Sequence, residues 1–412
     1  MSRPGRRSVI TGMGVISGSG QDLETLWYSV VEGRSASRRL TRFDAETMPT
    51  QIGTEVDAFD GSRFVESKTM RRMDLCYQYG IGAASSAVQD SGLVIADLDP
   101  DRVGIALGTS LGALGSTMVT AEGLRTRGYR GAGLGALVNS HNGAGSAEIA
   151  CHLGIHGHAI TIGTGSASSN DAIGYAMDMI ELDRADVMIA GGAEAPLLPI
   201  VWASMCLGRI MTRRNDSPEQ SMRPFDREHD GPIVGEGGAF VVLEELEHAR
   251  ARGARIYCEA LSHGRSSEAH HPLAPHPEGT GPQAAMTKAL RRAHVNREQV
   301  GYVNAHGTAT IANDVVESLA IGRIFEASSP PVSSTKPVTG HLLGAAGALE
   351  TIIAALALCK QTLPLTLNFD SPAQGCELDY IRGASRRSPV KVAMNLNCGF
   401  GGANSCLMLG SF

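Results

Sequence analysis

Thr161-Ile-Gly-Thr-Gly-Ser166-Ala-Ser-Ser-Asn-Asp-Ala-Ile-Gly-Tyr-Ala-Met-Asp178 reads as an apolar strand, a turn of small residues and then a helix. A hydroxyl on such a turn faces the positive end of the helix dipole, and neighbouring amides can hold an oxyanion. Ser166 is therefore a candidate nucleophile. The same alternation recurs outward from this stretch. Arg7 to Thr11 leads into Gly12-Met-Gly14 as a short buried strand ending in a glycine turn. Asp22 to Glu32 has helical spacing, with Leu23, Leu26, Trp27, Val30 and Val31 on one side. Strands are expected at Arg102 to Leu107, Asp186 to Ala190, Val300 to Ala305 and Val390 to Leu396, each running into a glycine-containing turn. Strands alternating with helices predict an α/β architecture with covered sheets.

At 412 residues the chain is longer than a usual single domain, so two domains or one large fused unit are expected. A helical stretch, Leu243 to Arg252, ends at Gly253. A division near residue 255 leaves halves 1–255 and 256–412, each built of strand–helix units, which is consistent with a duplicated fold.

Composition removes several function classes. Hydrophobic residues at 42% and charged residues at 19% suit a protein with a large core, and a net charge of −6 argues against nucleic acid as a partner. Arg71-Arg72 and Arg291-Arg292 read as solvated helix faces. The eight cysteines are scattered singly, with no C-x-x-C pair, which suits reduced thiols in a cytoplasmic protein. The basic N-terminus runs into only a brief apolar run, Val9-Ile10, too short for a signal peptide, and no run of about 20 apolar residues suggests a membrane span.

Other motifs fail on their spacing. Gly12-Met-Gly14-Val-Ile-Ser-Gly18 lacks the third glycine position of a dinucleotide fingerprint and the acidic residue that should follow it. No serine is expected in a G-x-S-x-G nucleophile elbow, the sequence around Ser166 being Gly163-Thr-Gly165-Ser166-Ala167-Ser168-Ser169, and no Walker A motif occurs. His270, His271 and His276 lie in a proline-broken loop with no completing carboxylate or cysteine pattern, so no metal is expected. Two further turns do carry chemistry. Asn304-Ala-His306-Gly-Thr-Ala-Thr310 sets a histidine directly after a buried strand, and Ser334-Thr-Lys336-Pro-Val-Thr-Gly-His341 sets another before a small-residue helix. Each histidine alone reads as structural; two of them with a nucleophile-type residue on a third turn do not.

These stretches resemble the active-site motifs of β-ketoacyl-[acyl-carrier-protein] synthases, particularly synthase II and the ketosynthases of type II polyketide systems. The resemblance runs through Val9-Ile-Thr-Gly-Met-Gly-Val15, Arg72-Met-Asp-Leu-Cys-Tyr-Gln-Tyr-Gly80, Ala190-Gly-Gly-Ala-Glu194, Arg223-Pro-Phe-Asp-Arg-Glu-His-Asp-Gly231 and Gly399-Phe-Gly-Gly-Ala-Asn404. It implies a thiolase-like fold, with duplicated halves in a five-layered αβαβα body. It also implies decarboxylative Claisen condensation of an acyl chain with malonyl-carrier protein, in polyketide or fatty-acid synthesis. Residue 166 is then the acylation site, and His306 and His341 the decarboxylation pair. The amides of residue 166 and Phe400 form the oxyanion hole, with Phe400 also gating the acyl pocket. Lys336 and Glu350 order the site as a buried pair, and Thr308 and Thr310 bind the pantetheine arm. No cofactor is implied beyond the phosphopantetheine of an acyl carrier protein, which is the expected partner. A dimer is expected too, either of two identical chains or with a chain-length-factor-like subunit.

Two positions depart from the family. Cys398 replaces the first phenylalanine of the usual Phe-Gly-Phe, which reshapes the pocket mouth. Ser166 replaces the nucleophilic cysteine, and a hydroxyl ionises far less readily than a thiol. An engineered replacement, a natural serine-dependent acyltransferase and a catalytically silent chain-length-factor-like subunit are the readings open at this stage. The Thr-Gly before residue 166 is similar to the polyketide branch.

Overall fold

The computed structural model describes residues 5–133 and 135–412; the first four residues of the N-terminal stretch read above lie outside them. Ten strands form one hydrogen-bonded sheet: β1 (Ser8–Ser17), β2 (Val103–Gly108), β3 (Ala159–Ile162), β4 (Val187–Glu194), β5 (Gly237–Glu245), β6 (Cys258–Ser267), β7 (Tyr302–Asn304), β8 (Val332–Ser333), β9 (Val392–Gly399) and β10 (Ala403–Gly410). Their spatial order is β8-β7-β9-β10-β6-β1-β5-β4-β2-β3.

That order is a duplication. In the first half β1 runs antiparallel to β5 and β5 antiparallel to β4, and β4, β2 and β3 are then parallel. In the second half β6, β10, β9, β7 and β8 repeat the pattern, antiparallel twice and then parallel. The halves meet where β1 pairs antiparallel with β6 over Ser8, Val9 and Ile10.

Its helices include α1 (Leu23–Glu32), α2 (Leu75–Ser91), α3 (Ser168–Glu181), α4 (Leu246–Ala251), α5 (Thr280–Ala293), α6 (Ile311–Phe325) and α7 (Ala346–Lys360). Helix α2 covers the outer face of the first half, and α5, backed by α6, that of the second. Helices α3 and α7 pack on strands of both halves and on each other, so they make the central layer of the five. This explains the composition of α7, whose residues from Ala346 to Leu358 are all buried. The stretch Leu343–Lys360 is apolar enough to cross a membrane, yet 89% of it is enclosed by the protein itself. It is a core helix.

Three sequence expectations need correction. Strand β1 does not end at Gly12-Met-Gly14 but runs on to Ser17. A Cβ at Gly12 would lie 2.2 Å from the Ala87 carbonyl oxygen, and one at Gly14 2.1 Å from that of Ala83. These glycines admit the α2 backbone against the strand instead of turning the chain. Strand β4 likewise continues through Gly191-Gly192 to Glu194. The apolar run read as helix from Leu243 is strand as far as Glu245, and α4 begins only at Leu246. Burial on both faces of a central strand removes the alternation that marks a strand in sequence.

Candidate active site

Strand β3 ends at Ile162, and Gly163-Thr164-Gly165 carries the chain to Ser166 just ahead of α3. Gly165 has φ +60, a backbone conformation that favours glycine, and a Cβ there would just touch the backbone of Phe400, 3.4 Å from its nitrogen and oxygen. A Cβ on Gly399 would in turn stand 3.1 Å from the Ser166 amide nitrogen. The nucleophile turn of one half thus lies directly on the Gly399–Gly402 loop of the other. Gly399 is needed for the close approach and Gly165 for its positive φ.

Ser166 is buried, and its Oγ is 2.9 Å from Nε2 of His341. His341 is fixed by its main chain, which donates to the Ile233 carbonyl at 2.8 Å and accepts from Gly235 at 3.0 Å. Its Nδ1 is buried without a hydrogen-bond partner. The ring of His306 stands edge-on to that of His341, with centroids 5.3 Å apart.

His306 follows β7, and its position depends on a residue absent from the sequence reading, Glu317 of α6. The two oxygens of this carboxylate accept the amides of His306 at 2.6 Å and Gly307 at 2.8 Å. Burial raises the Glu317 carboxyl to about 7, although the same two amides pull the other way. The i, i+11 separation of His306 and Glu317 gives no periodic signal; only the turn that folds α6 back on β7 joins them.

The Lys336 ammonium is completely buried. It donates to Glu350 Oε1 at 2.6 Å and to the His306 carbonyl, and lies 3.3 Å from His306 Nδ1. Glu350 Oε2 accepts from Asn397 Nδ2 at 2.8 Å. Burial pushes the Glu350 carboxyl up, against the pull of the adjacent Lys336. Burial, then the Lys336 charge, hold both imidazoles well below their ordinary value, with His341 also depressing His306. Both are therefore neutral near pH 7. The ammonium beside Nδ1 of His306 favours the tautomer with its proton on Nε2.

Ser166, His306, His341, Thr308, Thr310, Cys398 and Phe400 all line one cavity of about 400 Å³. Thr308 and Thr310 join their hydroxyls at 2.9 Å. Phe400 is half exposed at the cavity's edge. Lys336 and Glu350 stand behind the histidines rather than in the cavity wall. Contrary to expectation, one serine does stand in G-x-S-x-G, at Gly108-Thr-Ser110-Leu-Gly112. Its serine hydroxyl is buried without a partner and its amide serves Glu194, so it has no base. Among the described residues no group of three or more His, Cys, Asp or Glu side chains is placed to hold a metal ion.

Comparison with known proteins agrees with this geometry. The family model for the β-ketoacyl synthase N-terminal domain matches residues 6–249, and that for the C-terminal domain matches residues 257–370. A 3-oxoacyl-[acyl-carrier-protein] synthase 2 of Coxiella burnetii is 40% identical over 410 residues, covering 98% of each chain. A putative polyketide beta-ketoacyl synthase 1 of Streptomyces halstedii is 36% identical over 417 residues, again covering 98% of each. Among solved structures, the ishigamide ketosynthase/chain length factor superposes with a TM-score of 0.93 at 33% identity, covering 99% of this chain and 100% of that one. With the two domain models matching residues 6–249 and 257–370 and full-length relatives at 36% and 40% identity, the protein belongs to the β-ketoacyl synthase family of acyltransferases.

Proposed function

We propose that the chain condenses an acyl group with malonyl-carrier protein, using Ser166 as an oxygen nucleophile. The observation that carries this reading is the meeting of Ser166 with two neutral imidazoles, one backed by Lys336, in a single cavity. A serine needs a base where a cysteine does not. His341 Nε2, at 2.9 Å, takes the Ser166 proton as Oγ attacks the acyl thioester carbonyl. The amides of Ser166 and Phe400 hold the oxyanion. The C–S bond then breaks, and the pantetheine thiolate leaves with the proton from His341. Malonyl thioester next loses CO2; the electron pair becomes an enolate, held by the Nε2–H of His306 and by His341. The enolate carbon attacks the acyl oxyester, the C–O bond breaks, and Ser166 recovers a proton that comes finally from solvent.

The two steps ask different things of His341. As base its Nε2 accepts; as enolate donor its Nε2 carries the proton. The unpartnered Nδ1 favours neither tautomer, so the ring can serve both. An oxyester is a poorer acyl donor to carbon than a thioester, so condensation is slower than acylation. The Ser166–His341 contact also supports a second reading, transfer of the acyl group to an alcohol or amine. The retained histidines and lysine speak against a silent partner subunit, which has no use for them.

The substrates arrive on the phosphopantetheine of an acyl carrier protein, the group with which the Coxiella relative is named, and Thr308 and Thr310 receive that arm. No dissociable cofactor is needed. The likeness to a ketosynthase/chain length factor supports a second, chain-length-factor-like subunit, with a pair of identical chains as the alternative. The working unit divides at residue 255, the nucleophile lying in 1–255 and the histidines in 256–412. Eight unpaired cysteines suit a cytoplasmic setting.

Mass spectrometry after incubation with acyl-carrier protein, on this chain and its Ser166→Cys variant, tests the reading. An O-acyl adduct on Ser166 that is consumed by malonyl-carrier protein supports it. Discharge only to added alcohol or amine selects the second reading. No adduct on either form, with activity appearing only beside a partner chain, overturns both.

A further inference from the structure

Behind the nucleophile turn lies a buried polar chain that the reaction above does not use. Thr164, two residues before Ser166, donates its hydroxyl to Asp171 Oδ2 at 2.8 Å. Asp171 sits in the first turn of α3 and is buried. Its other oxygen, Oδ1, is 3.2 Å from Nε2 of His263 without an aligned hydrogen bond. The same Nε2 is 2.8 Å from Oγ of Ser405. His263 belongs to β6 and Ser405 to β10, paired strands of the second half. Ser405 stands opposite Asn397, close to where β9 and β10 give way to the Phe400 loop.

The packing around this chain is specific. A Cβ on Gly174, one helical turn beyond Asp171, would fall 2.0 Å from His263 Nδ1, so the imidazole lies flat on the α3 backbone. Burial drives the Asp171 carboxyl up, but His263, Thr164 and Ser405 outweigh it and hold the group below its usual range. A buried carboxylate retained as an anion needs such partners.

We propose that Asp171 and His263 are positioning residues that tie the Thr164–Ser166 turn to the strand bearing the oxyanion loop. The reason is geometric. Ser166 comes from the first half of the fold and the Phe400 amide from the second, so their spacing is set only by contacts between halves. Displacing a reacting group by about 1 Å lowers rates on the order of 100-fold. The chain Thr164–Asp171–His263–Ser405 crosses that boundary in four side chains. Decarboxylation depends on His306 and His341, neither of which touches it.

The inference rests on Ser166 being the acylated residue, and the experiment separates the two. Acylation at residue 166 and decarboxylation of malonyl-carrier protein are measured side by side for Thr164→Val, Thr164→Ser, Asp171→Asn and His263→Phe. The expected result is a fall in acylation on the order of 10- to 100-fold for the valine, asparagine and phenylalanine variants. Decarboxylation stays within about twofold of the parent, and Thr164→Ser, which restores the hydroxyl, recovers acylation. Thr164→Val removes one hydrogen bond at constant shape, so it tests the proposal even where the buried changes fail to fold. Equal loss of both activities marks a merely structural network and overturns the proposal. So does unchanged acylation in all variants. Absence of acylation in the parent and in Ser166→Cys overturns the nucleophile assignment, and the proposal with it.

Discussion

Lys336 Nζ touches Glu350 Oε1 at 2.6 Å and His306 Nδ1 at 3.3 Å, and all three side chains are buried. One ammonium therefore neutralises a buried carboxylate and sets the tautomer of an imidazole. Lys336→Met leaves Glu350 buried and unpaired, which costs about 3–5 kcal/mol of stability. Lys336→Met with Glu350→Met removes both charges and is expected to recover most of that loss while decarboxylation stays abolished. Urea unfolding and malonyl-carrier protein decarboxylation measure the two effects. Recovery of activity in the double variant would contradict the tautomer role.

Both imidazoles sit well below their ordinary value, through burial first and the Lys336 charge second. For a histidine so depressed, the unfolded chain takes up protons that the folded chain refuses. The stability these groups contribute is present above about pH 6.5 and is lost as pH falls from there towards the folded values. The same neutral forms are the reactive ones. The decarboxylation rate is expected to stay level from about pH 6.5 to 8 and to decline only in more acid buffer. A pH–rate profile with its acid limb centred at or above 6.5 would show the histidines to be more exposed than the structure has them.

The readability of this site from sequence divides by distance along the chain. Ser166 and His306 each follow a strand and precede a helix, and His341 stands on a glycine turn ahead of one, so local pattern alone places them on turns. Glu317, Asp171 and His263 act across 11, 7 and 142 residues respectively, counting to His306, Thr164 and Ser405. Nothing local distinguishes them from surface polar residues. The glycines show the opposite failure. Gly12, Gly14 and Gly191 look like turn signals, yet they are mid-strand, because sequence shows that a side chain is missing but not what occupies its place.

Gly14→Ala tests that last reading. The new Cβ would stand 2.1 Å from the Ala83 carbonyl oxygen, a backbone atom of α2 that cannot turn aside. A glycine in a turn at negative φ accepts alanine freely; a glycine pressed on a helix does not. Overpacking of about 1–3 kcal/mol or more is expected, read as a lower urea midpoint with unchanged m-value. Full stability in the variant would mean that α2 has room to move away from β1.

Cys398 gives the sharpest test of substrate selection. It lines the cavity with Ser166 and Phe400 at the end of β9, at the position where the resemblance to the family implies phenylalanine. Cys398 shares its face of β9 with the buried Met394 and Leu396 and packs against the core of the second half where that core borders the cavity, so in Cys398→Phe the cavity is the open space into which the ring extends. Short acyl chains stop before this wall and should be transferred as before. Longer chains lose contact with it, at about 0.8 kcal/mol or roughly fourfold in kcat/KM for each methylene excluded. Acylation rates plotted against chain length should therefore coincide for the two proteins at the short end and separate beyond one particular length. That length measures the distance from Ser166 to Cys398 along the bound chain. Parallel plots would mean instead that the acyl group leaves Ser166 in another direction.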